Sequence, residues 1–311
     1  MWLQLGGLYG AQPIEGRRRT DGTVRGRGRL SALSGPTREN AIAAEIPLHG
    51  GDVTEGLVRV GATVRRPRQP FSDSVAAYLR HLEGVGFAGA PRWRGVDERD
   101  RDILDFIPGQ VPGSPLESWA SGDEVLAAVA VLLRGLHDAS EGFTPPSTAR
   151  WFGDDLVVEL PADALVDERL DLVTHSDVTP QNVVFIDARP IALIDFDMTR
   201  PNSRLLDVLN TAMHWVPLKD PADRDAVQVN ADVASRLRCF TDAYGLAAAD
   251  RRGLLALAPR VFRRTWYRMQ ANAYRRGGGW ARMWADGVGD VILRRQAWLA
   301  AESATLERAL R

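Results

Sequence analysis

Short apolar runs broken by glycine-containing turns begin at Glu45, and helical repeats of apolar residues dominate the second half of the chain. The segment EIPLHGGDVTEGLVRVGATVRRP combines the two features of a small antiparallel sheet, short strands and tight turns. Residues 72–85 repeat apolar positions every three or four residues, which predicts a helix. Two further strands are predicted at PRWRGV and DILDFI.

Helical spacing takes over after the break at Ile107-Pro108-Gly109. Residues 122–137 are rich in alanine and leucine and apolar on most sides, which predicts a buried helix. Everything after Ser203 has helical spacing as well. The pattern therefore predicts an α+β protein of two lobes: a small antiparallel β lobe with its hinge over residues 45–109, and a larger, mostly helical lobe over residues 110–311.

The first 44 residues show no apolar period and are rich in Arg, Gly, Ser and Thr. Such a composition predicts a disordered N-terminal extension. A nucleic-acid-binding arm is one alternative. A dispensable tail, or a start codon assigned too far upstream, fits the composition better.

Composition narrows the class of protein. The 311 residues are 45% hydrophobic and 25% charged, enough to bury a sizeable core. No apolar run approaches the roughly 20 residues that span a bilayer, and the charges of the first segment follow its apolar part, the reverse of a secretory signal. The single cysteine, Cys239, excludes an internal disulfide and is expected to be a small buried residue. We therefore expect a cytoplasmic protein with no membrane contact.

The densest cluster of polar residues is THSDVTPQNVVFIDARPIALIDFD, residues 174–197. The apolar runs VVFI and IALI flank a natural turn, which predicts a β-hairpin. A hairpin returns Asp195 to the side of Asn182, and the preceding loop adds Asp177. Two carboxylates and an amide oxygen are the hard donors that Mg²⁺ prefers when it also binds phosphates.

This spacing resembles the protein-kinase-like catalytic core, where H-x-D-x-x-x-x-N precedes a short hairpin and an acidic metal ligand. The matching residues are His175, Asp177, Asn182 and Asp195. The closer resemblance is to the aminoglycoside phosphotransferase and choline kinase branch, because residues 194–197 read I-D-F-D rather than D-F-G. The resemblance covers about residues 45–300.

The resemblance implies a bilobal Mg²⁺-dependent phosphotransferase that moves the γ-phosphate of ATP or GTP to a hydroxyl of a small molecule. Asp177 would then orient the acceptor hydroxyl and accept its proton. Asn182 and Asp195 would hold Mg²⁺ against the phosphates, and Asp197 would assist a second metal or orient the ligands of the first. His175 is expected to brace the loop.

Asp207, in the helix after the hairpin, resembles a family residue that supports the catalytic loop; a surface acid is the alternative. For the nucleotide, the resemblance suggests a cover at residues 50–56, with Gly50, Gly51 and Thr54 near the phosphates. A plain hairpin turn is the alternative there. The backbone of Asp105 and Ile107 would bind the purine edge.

The sequence departs from the kinase pattern at two residues expected near the phosphates. Kinases carry a lysine on the strand after the cover, but the only lysine in this chain is Lys219, far downstream. Strand alternation places Arg66 on the same face as Val64, so Arg66 is the expected replacement, with Arg65 as the alternative. The next helix lacks the usual mid-helix glutamate and has only Glu83, near its end.

Charge is unevenly distributed although the net charge is only −1. Residues 251–311 contain 13 arginines and four acids, a net charge of +9, whereas residues 45–250 carry −14. The acidic middle would suit a polycationic aminoglycoside, and the arginine-rich C-terminal helices would suit a neutral or anionic hydroxylated molecule. We expect a small hydroxylated substrate rather than a nucleic acid; the oligomeric state stays open.

Two other functions are compatible with parts of the sequence. A nucleotide-binding pseudokinase without turnover would explain the missing lysine and the displaced glutamate, but it would not need Asp177, Asn182 and Asp195 together. A metal-dependent hydrolase would need a second histidine near His175, and none lies close in the sequence.

Overall fold

The structure, a computed structural model, describes residues 44–48, 56–166 and 170–311. Its N-terminal lobe is a five-stranded antiparallel sheet in the order β1-β2-β3-β5-β4, with one helix after β3. The antiparallel sheet predicted from the sequence is therefore confirmed. The elements of this lobe are β1 (Glu45–Pro47), β2 (Val58–Val60), β3 (Thr63–Pro67), α1 (Ser72–Gly84), β4 (Trp93–Val96) and β5 (Arg101–Asp105).

The C-terminal lobe is mainly helical, as predicted, and the α+β class with two lobes is confirmed. Two short antiparallel pairs, β6-β9 and β7-β8, lie among its helices. Its elements are α2 (Asp123–Ser140), β6 (Leu172–Thr174), β7 (Val183–Ile186), β8 (Arg189–Leu193), β9 (Arg200–Asn202), α3 (Arg204–Trp215), α4 (Val233–Tyr244), α5 (Ala248–Arg276), α6 (Gly278–Ala285) and α7 (Val288–Ala309).

Helix α2 is the centre of the C-terminal lobe. Leu126, Leu133 and Leu136 are fully buried, and the helix packs against α4 and the β7-β8 hairpin. Its opposite face is open, because Val131 is 58% exposed. The predicted buried helix is therefore confirmed on most sides, and one face is open to solvent, because α2 packs against its neighbours from one side.

The start of α3 fixes a residue that bears on the site. Ser203 caps this helix, its hydroxyl accepting a hydrogen bond from the Leu206 N–H at 3.1 Å. The cap places Asp207 in the first turn, with its side chain buried against the loop before β7. The β6-β9 pair just before α3 was not predicted, because its strands have three residues each and β9 is the polar sequence Arg-Pro-Asn.

The linker between the lobes is attached directly to the hairpin. Gln110 and Phe185 exchange two backbone hydrogen bonds of 2.8 and 2.7 Å. Gly109 approaches the same strand so closely that a Cβ there would overlap Val184 Cγ1 and lie 2.7 Å from the Phe185 carbonyl oxygen. Hinge and hairpin are thus held in one unit.

The predicted N-terminal extension lies outside the described residues except for Ala44, and the boundaries at residues 45 and 109 stay a prediction. Cys239 is partly rather than fully buried, at the edge of the core. Over the ranges given above, no helix combines the length and apolar character needed to cross a membrane.

We expect Gly109→Ala to lower the free energy of unfolding by about 1–3 kcal/mol, because the added methyl group overpacks the contact between linker and hairpin. Urea denaturation measures the change. Gly84→Ala is the matched control: it adds the same methyl group at the end of α1, where no atom lies within 4 Å. Equal effects of the two substitutions would contradict the proposed close contact.

Candidate active site

The loop between β6 and β7 carries Asp177 and Asn182 and is closed by hydrogen bonds of its own. Asn182 Nδ2 donates to both the carbonyl oxygen and the carboxylate Oδ2 of Asp177, each at 2.9 Å. The Ile194 N–H donates to the Asn182 carbonyl oxygen at 2.9 Å, which sets Asp195 beside this pair. The structure thus brings Asp177, Asn182 and Asp195 to one place, by way of the hairpin.

His175 joins the loop to the hairpin. It is fully buried, with Nε2 donating to the Ile194 carbonyl oxygen at 2.9 Å and Nδ1 accepting from the Asp177 N–H at 3.3 Å. These two bonds require the neutral imidazole with its proton on Nε2. Burial, the largest cause, lowers the pKa of His175 to about 4. The arrangement matches the bracing role expected for this residue.

A buried acid supports the same loop from behind. Asp207 is fully buried, so the alternative of a surface acid does not hold. Its Oδ1 accepts from the Ser176 N–H at 3.0 Å, and its Oδ2 accepts from His137 Nε2 at 3.0 Å. His137 Nδ1 is hydrogen-bonded to the Tyr244 hydroxyl at 2.7 Å. Ser176 has a left-handed backbone, φ 64°, which this network stabilises.

Arg66 faces the site and Arg65 does not. Arg66 is only 3% exposed and forms an ion pair with Asp197; its Nη2 also lies 3.9 Å from Asp102 Oδ2. Arg65 lies on the other face of β3, 3.6 Å from Asp97. The alternation predicted for this strand, with Val64 and Arg66 on one buried face, is present in the structure.

The partner of Arg66 does not come from α1. Glu83 lies on the surface near Arg92 and Arg94, at 3.9 and 3.4 Å. Asp197, four residues beyond the β7-β8 hairpin and on the other lobe, takes the place of the missing helix acid. The ion pair therefore connects the two lobes across the site.

Burial and like charge shape the electrostatics of the acidic pair. Burial raises the pKa of Asp195 to about 6, against the opposing effect of Arg66. Burial and then the charge of Asp195 raise the pKa of Asp177 well above its usual range, against the hydrogen bond from Asn182. Asp195 also has a left-handed backbone, φ 62°. Such a pair of carboxylates favours a cation nearby.

The donor set fits Mg²⁺ on chemical grounds. Asp195 offers a carboxylate, and Asn182 has only its Oδ1 able to bind a cation, since Nδ2 is directed at Asp177. Within the described ranges, no group of three or more His, Cys, Asp or Glu side chains could hold a metal by itself. A Mg²⁺ ion here would need oxygen ligands from a bound phosphate as well.

Only some of the residues predicted to contact the nucleotide lie within the described part of the chain. Gly50, Gly51 and Thr54 lie outside the described residues. Next to the hinge, an apolar cluster joins the two lobes, and its buried members are Leu57, Val64, Val184 and Ile194.

Ile107 packs against this apolar cluster from the hinge. The Asp105 N–H is already bonded to the Arg92 carbonyl oxygen at 3.0 Å, and its carboxylate accepts from Arg94 at 2.8 and 2.7 Å. Purine binding by the backbone of Asp105 and Ile107 stays a prediction.

Asp177 stands where two cavities meet. The larger, about 650 Å³, contains Asp177, Asp195 and Asp197 and is walled by residues 150–155 and 276–280. The smaller, about 110 Å³, lies behind Asp177 against β9, α3 and α5. Both are lined by Asp177, Met198 and Trp280, so one carboxylate is accessible from either side.

Known proteins resemble this chain in sequence and, separately, in fold. No family model matches the chain. The trifolitoxin immunity protein of Rhizobium leguminosarum bv. trifolii is 32% identical over 220 residues, which cover 68% of this chain and 78% of that protein. The chain belongs to the family of this immunity protein.

Solved structures with the same fold are kinases of small molecules. A choline/ethanolamine kinase family protein from Mesorhizobium loti superposes with a TM-score of 0.50 and 19% identity, over 82% of this chain and 87% of that one. The gentamicin complex of APH(2")-IIa gives 0.52 and 16%, over 84% and 94%. The GDP complex of aminoglycoside 2'-phosphotransferase-IIIa gives 0.51 and 13%, over 88% and 94%. The predicted resemblance to the aminoglycoside phosphotransferase and choline kinase-like family is confirmed at the level of the fold.

Sequence reasoning missed several parts of this candidate site. Asp102 and the pairing of Asp197 with Arg66 carry no local signal, because the residues lie on separate strands and loops. Trp215, whose Nε1 donates to the Val178 carbonyl oxygen at 2.9 Å, also supports the loop. Its position eight residues after Asp207, on the same helix, is the one hint that the sequence contains.

We expect the contribution of His175 to stability to fall as pH decreases from 6.5 to about 4, because unfolding frees His175 to take up a proton that the folded state excludes. His175→Gln removes this contribution, so the difference in unfolding free energy between wild type and variant should shrink by roughly 2–3 kcal/mol between pH 8 and pH 4.5. Urea denaturation at both pH values measures it. A difference independent of pH would contradict a buried neutral imidazole.

Proposed function

We propose that the protein is a Mg²⁺-dependent phosphotransferase that moves the γ-phosphate of ATP or GTP to a hydroxyl group of a small molecule. The observation that carries the proposal is the position of Asp177, which Asn182 holds where two cavities meet. A phosphoryl donor in the larger cavity and an acceptor in the smaller would meet at this carboxylate.

In this proposal the protein positions charge rather than forming covalent intermediates. Asp177 orients the acceptor hydroxyl and takes its proton as the new O–P bond forms. The raised pKa of its carboxyl group, caused by burial and by Asp195, makes it a stronger proton acceptor once ionised. Asn182 and Asp195 would hold Mg²⁺, which when bound neutralises phosphate charge.

Arg66 is the group proposed to replace the kinase lysine. Its guanidinium is held at the site by Asp197, so its charge is in place before a nucleotide binds. This weakens the case for a pseudokinase, which depended on a missing cation and a missing acid partner. A purine nucleotide as co-substrate implies action in the cytoplasm, where ATP and GTP are available.

The relative named for immunity suggests a biological purpose. Phosphorylation of a hydroxyl group changes the charge and shape of a toxic compound, which is one chemical route to immunity. We propose that the acceptor is a toxic hydroxylated compound, and that immunity follows from its modification.

Asp177→Asn is expected to lower kcat by roughly 10²–10⁴-fold, because the amide cannot accept the proton. Nucleotide binding should persist. The measurement is acceptor-dependent release of nucleoside diphosphate over a panel of hydroxylated compounds, with binding followed separately by thermal stabilisation with and without Mg²⁺. Asp187→Asn, in the turn at the far end of the hairpin, is the matched control and should keep full activity. Nucleotide binding without turnover by the wild type on any compound would favour the pseudokinase.

Arg66→Gln is expected to raise the KM for nucleotide about 10- to 100-fold, through loss of a charge-assisted contact to phosphate. Arg66→Lys, which keeps the charge, should retain more of the binding and guards against a simple folding defect. Arg65→Gln removes the same group from the opposite face of β3 and should leave the KM near its wild-type value. The reverse ranking of the two positions would transfer the role to Arg65.

A further inference from the structure

The smaller cavity behind Asp177 is strongly cationic. Among the described residues that line it are three arginines, Arg200, Arg264 and Arg268, and a single carboxylate, that of Asp177. The larger cavity has the opposite character, with five aspartates against two arginines. The two sides of the proposed reaction centre therefore differ in the sign of their charge.

The fold forces these arginines together. Arg200 begins β9 and pairs with Thr174 of β6, so its backbone is fixed beside the catalytic loop. Arg264 and Arg268 are four residues apart in α5 and so lie on the same face of that helix. Like charges at this spacing destabilise a helix unless a counter-charge is present.

Two of them, Arg200 and Arg268, form no ion pair with a carboxylate of the described residues. Across the part of the chain that the structure describes, neither Arg200 nor Arg268 has a carboxylate within 4.0 Å of its side chain, and neither side chain makes a hydrogen bond. Other partly buried arginines of this protein are paired, such as Arg236 with Asp123 and Arg276 with Asp155.

The electrostatic consequence is visible at Arg200. Burial, and after it the charge of Arg268, lowers the pKa of Arg200 to about 10, against the opposing charges of Asp207 and Asp154, and burial lowers the pKa of Arg268 as well. The two guanidinium groups therefore lose hydration and repel each other. A bound anion would offset both costs, and a guanidinium is well suited to bind carboxylate or phosphate through two hydrogen bonds.

Size limits which part of a ligand can enter. A volume of about 110 Å³ is well below the several hundred Å³ typical of whole drug-sized ligands. It fits a carboxylate or phosphate with a few carbon atoms, the rest of the molecule extending past Asp177 into the cleft. Asn210, Thr265 and Asn272 add polar groups to the wall.

We propose that the acceptor is a hydroxylated anion, whose carboxylate or phosphate group binds Arg200 and Arg268 while a nearby hydroxyl group lies at Asp177. The inference rests on the proposed function, since it assigns the acceptor class of the same site. The acceptor oxygen bonds to the γ-phosphorus as the bond to the β,γ-bridging oxygen breaks. The nucleoside diphosphate leaves, and the hydroxyl proton passes to Asp177. A polycation would be repelled from this cavity.

Two matched series of acceptors test the charge of the ligand. D-glycerate, glyceramide and 3-amino-1,2-propanediol share two hydroxyl groups and differ in a terminal carboxylate, amide or ammonium. D-gluconate, D-gluconamide and D-glucamine form a longer series with five. With MgATP, and separately with MgGTP, we expect the anionic member to be phosphorylated with a kcat/KM at least 10-fold above its neutral partner and further above its cationic one.

Arg200→Gln and Arg268→Gln should each lower kcat/KM for the anionic member by at least 10-fold and abolish its preference over the neutral member. Arg260→Gln is the matched control, an exposed arginine of the same helix that does not line the cavity, and it should keep the preference. Preference for neutral or cationic members, or a preference that survives both cavity substitutions, would overturn the inference while leaving phosphotransfer intact.

Binding separates failure of the inference from failure of the proposed function. If no compound is phosphorylated, the unfolding temperature is measured with MgADP and each member of both series. Stabilisation by anionic members alone, lost in Arg268→Gln, would support the cationic cavity and reject the phosphotransferase. Equal stabilisation by anionic and neutral members, or none by either, would reject the anion site.

Discussion

Burial of several carboxylates side by side is the constraint that shapes this protein. A buried carboxylate is costly unless hydrogen bonds or a cation compensate for lost hydration. Asp207 is compensated within the protein, by the Ser176 N–H and His137. Asp197 has Arg66, and Asp177 has Asn182. Asp195 accepts no side-chain hydrogen bond from the described residues that would offset its burial, which raises its pKa to about 6 despite the charge of Arg66.

The contacts that compensate these carboxylates also hold the loop, the hairpin and the two lobes in position. The bonds to Asp207 hold the loop before β7, and the bonds of His175 join that loop to the hairpin. The ion pair between Arg66 and Asp197 connects the β lobe to the segment that directly follows this hairpin. The backbone bonds between Gln110 and Phe185 connect the linker to it from the other side. The hairpin and the residues that follow it therefore contact both lobes. A movement of the β lobe would change the position of Asp195.

The charges of the two cavities differ strongly from the net charge of the protein. The net charge is −1, but the protein contains an acidic cleft and a basic cavity, and Asp177 lines both. The acidic side suits a metal with a nucleotide, and the basic side suits an anionic acceptor. The kinases with the same fold that were solved with gentamicin or GDP show that the scaffold accepts different ligands, so the fold by itself does not identify a ligand of this chain.

Local pattern determined much of this protein from the sequence alone. Alternation in β3 placed Val64 and Arg66 on one face, and helical spacing located α1 and the start of α3 to within a few residues, because both periods are set by neighbours in the chain. The spacing from His175 to Asp195 defined the loop and hairpin. Only the tertiary structure decided the ion-pair partner of Arg66, the burial of Asp207 and the cavity that brings Arg200 to Arg268. All three features depend on contacts between residues far apart in sequence. The sequence around a charged residue does not specify which distant charged residue the fold will place beside it.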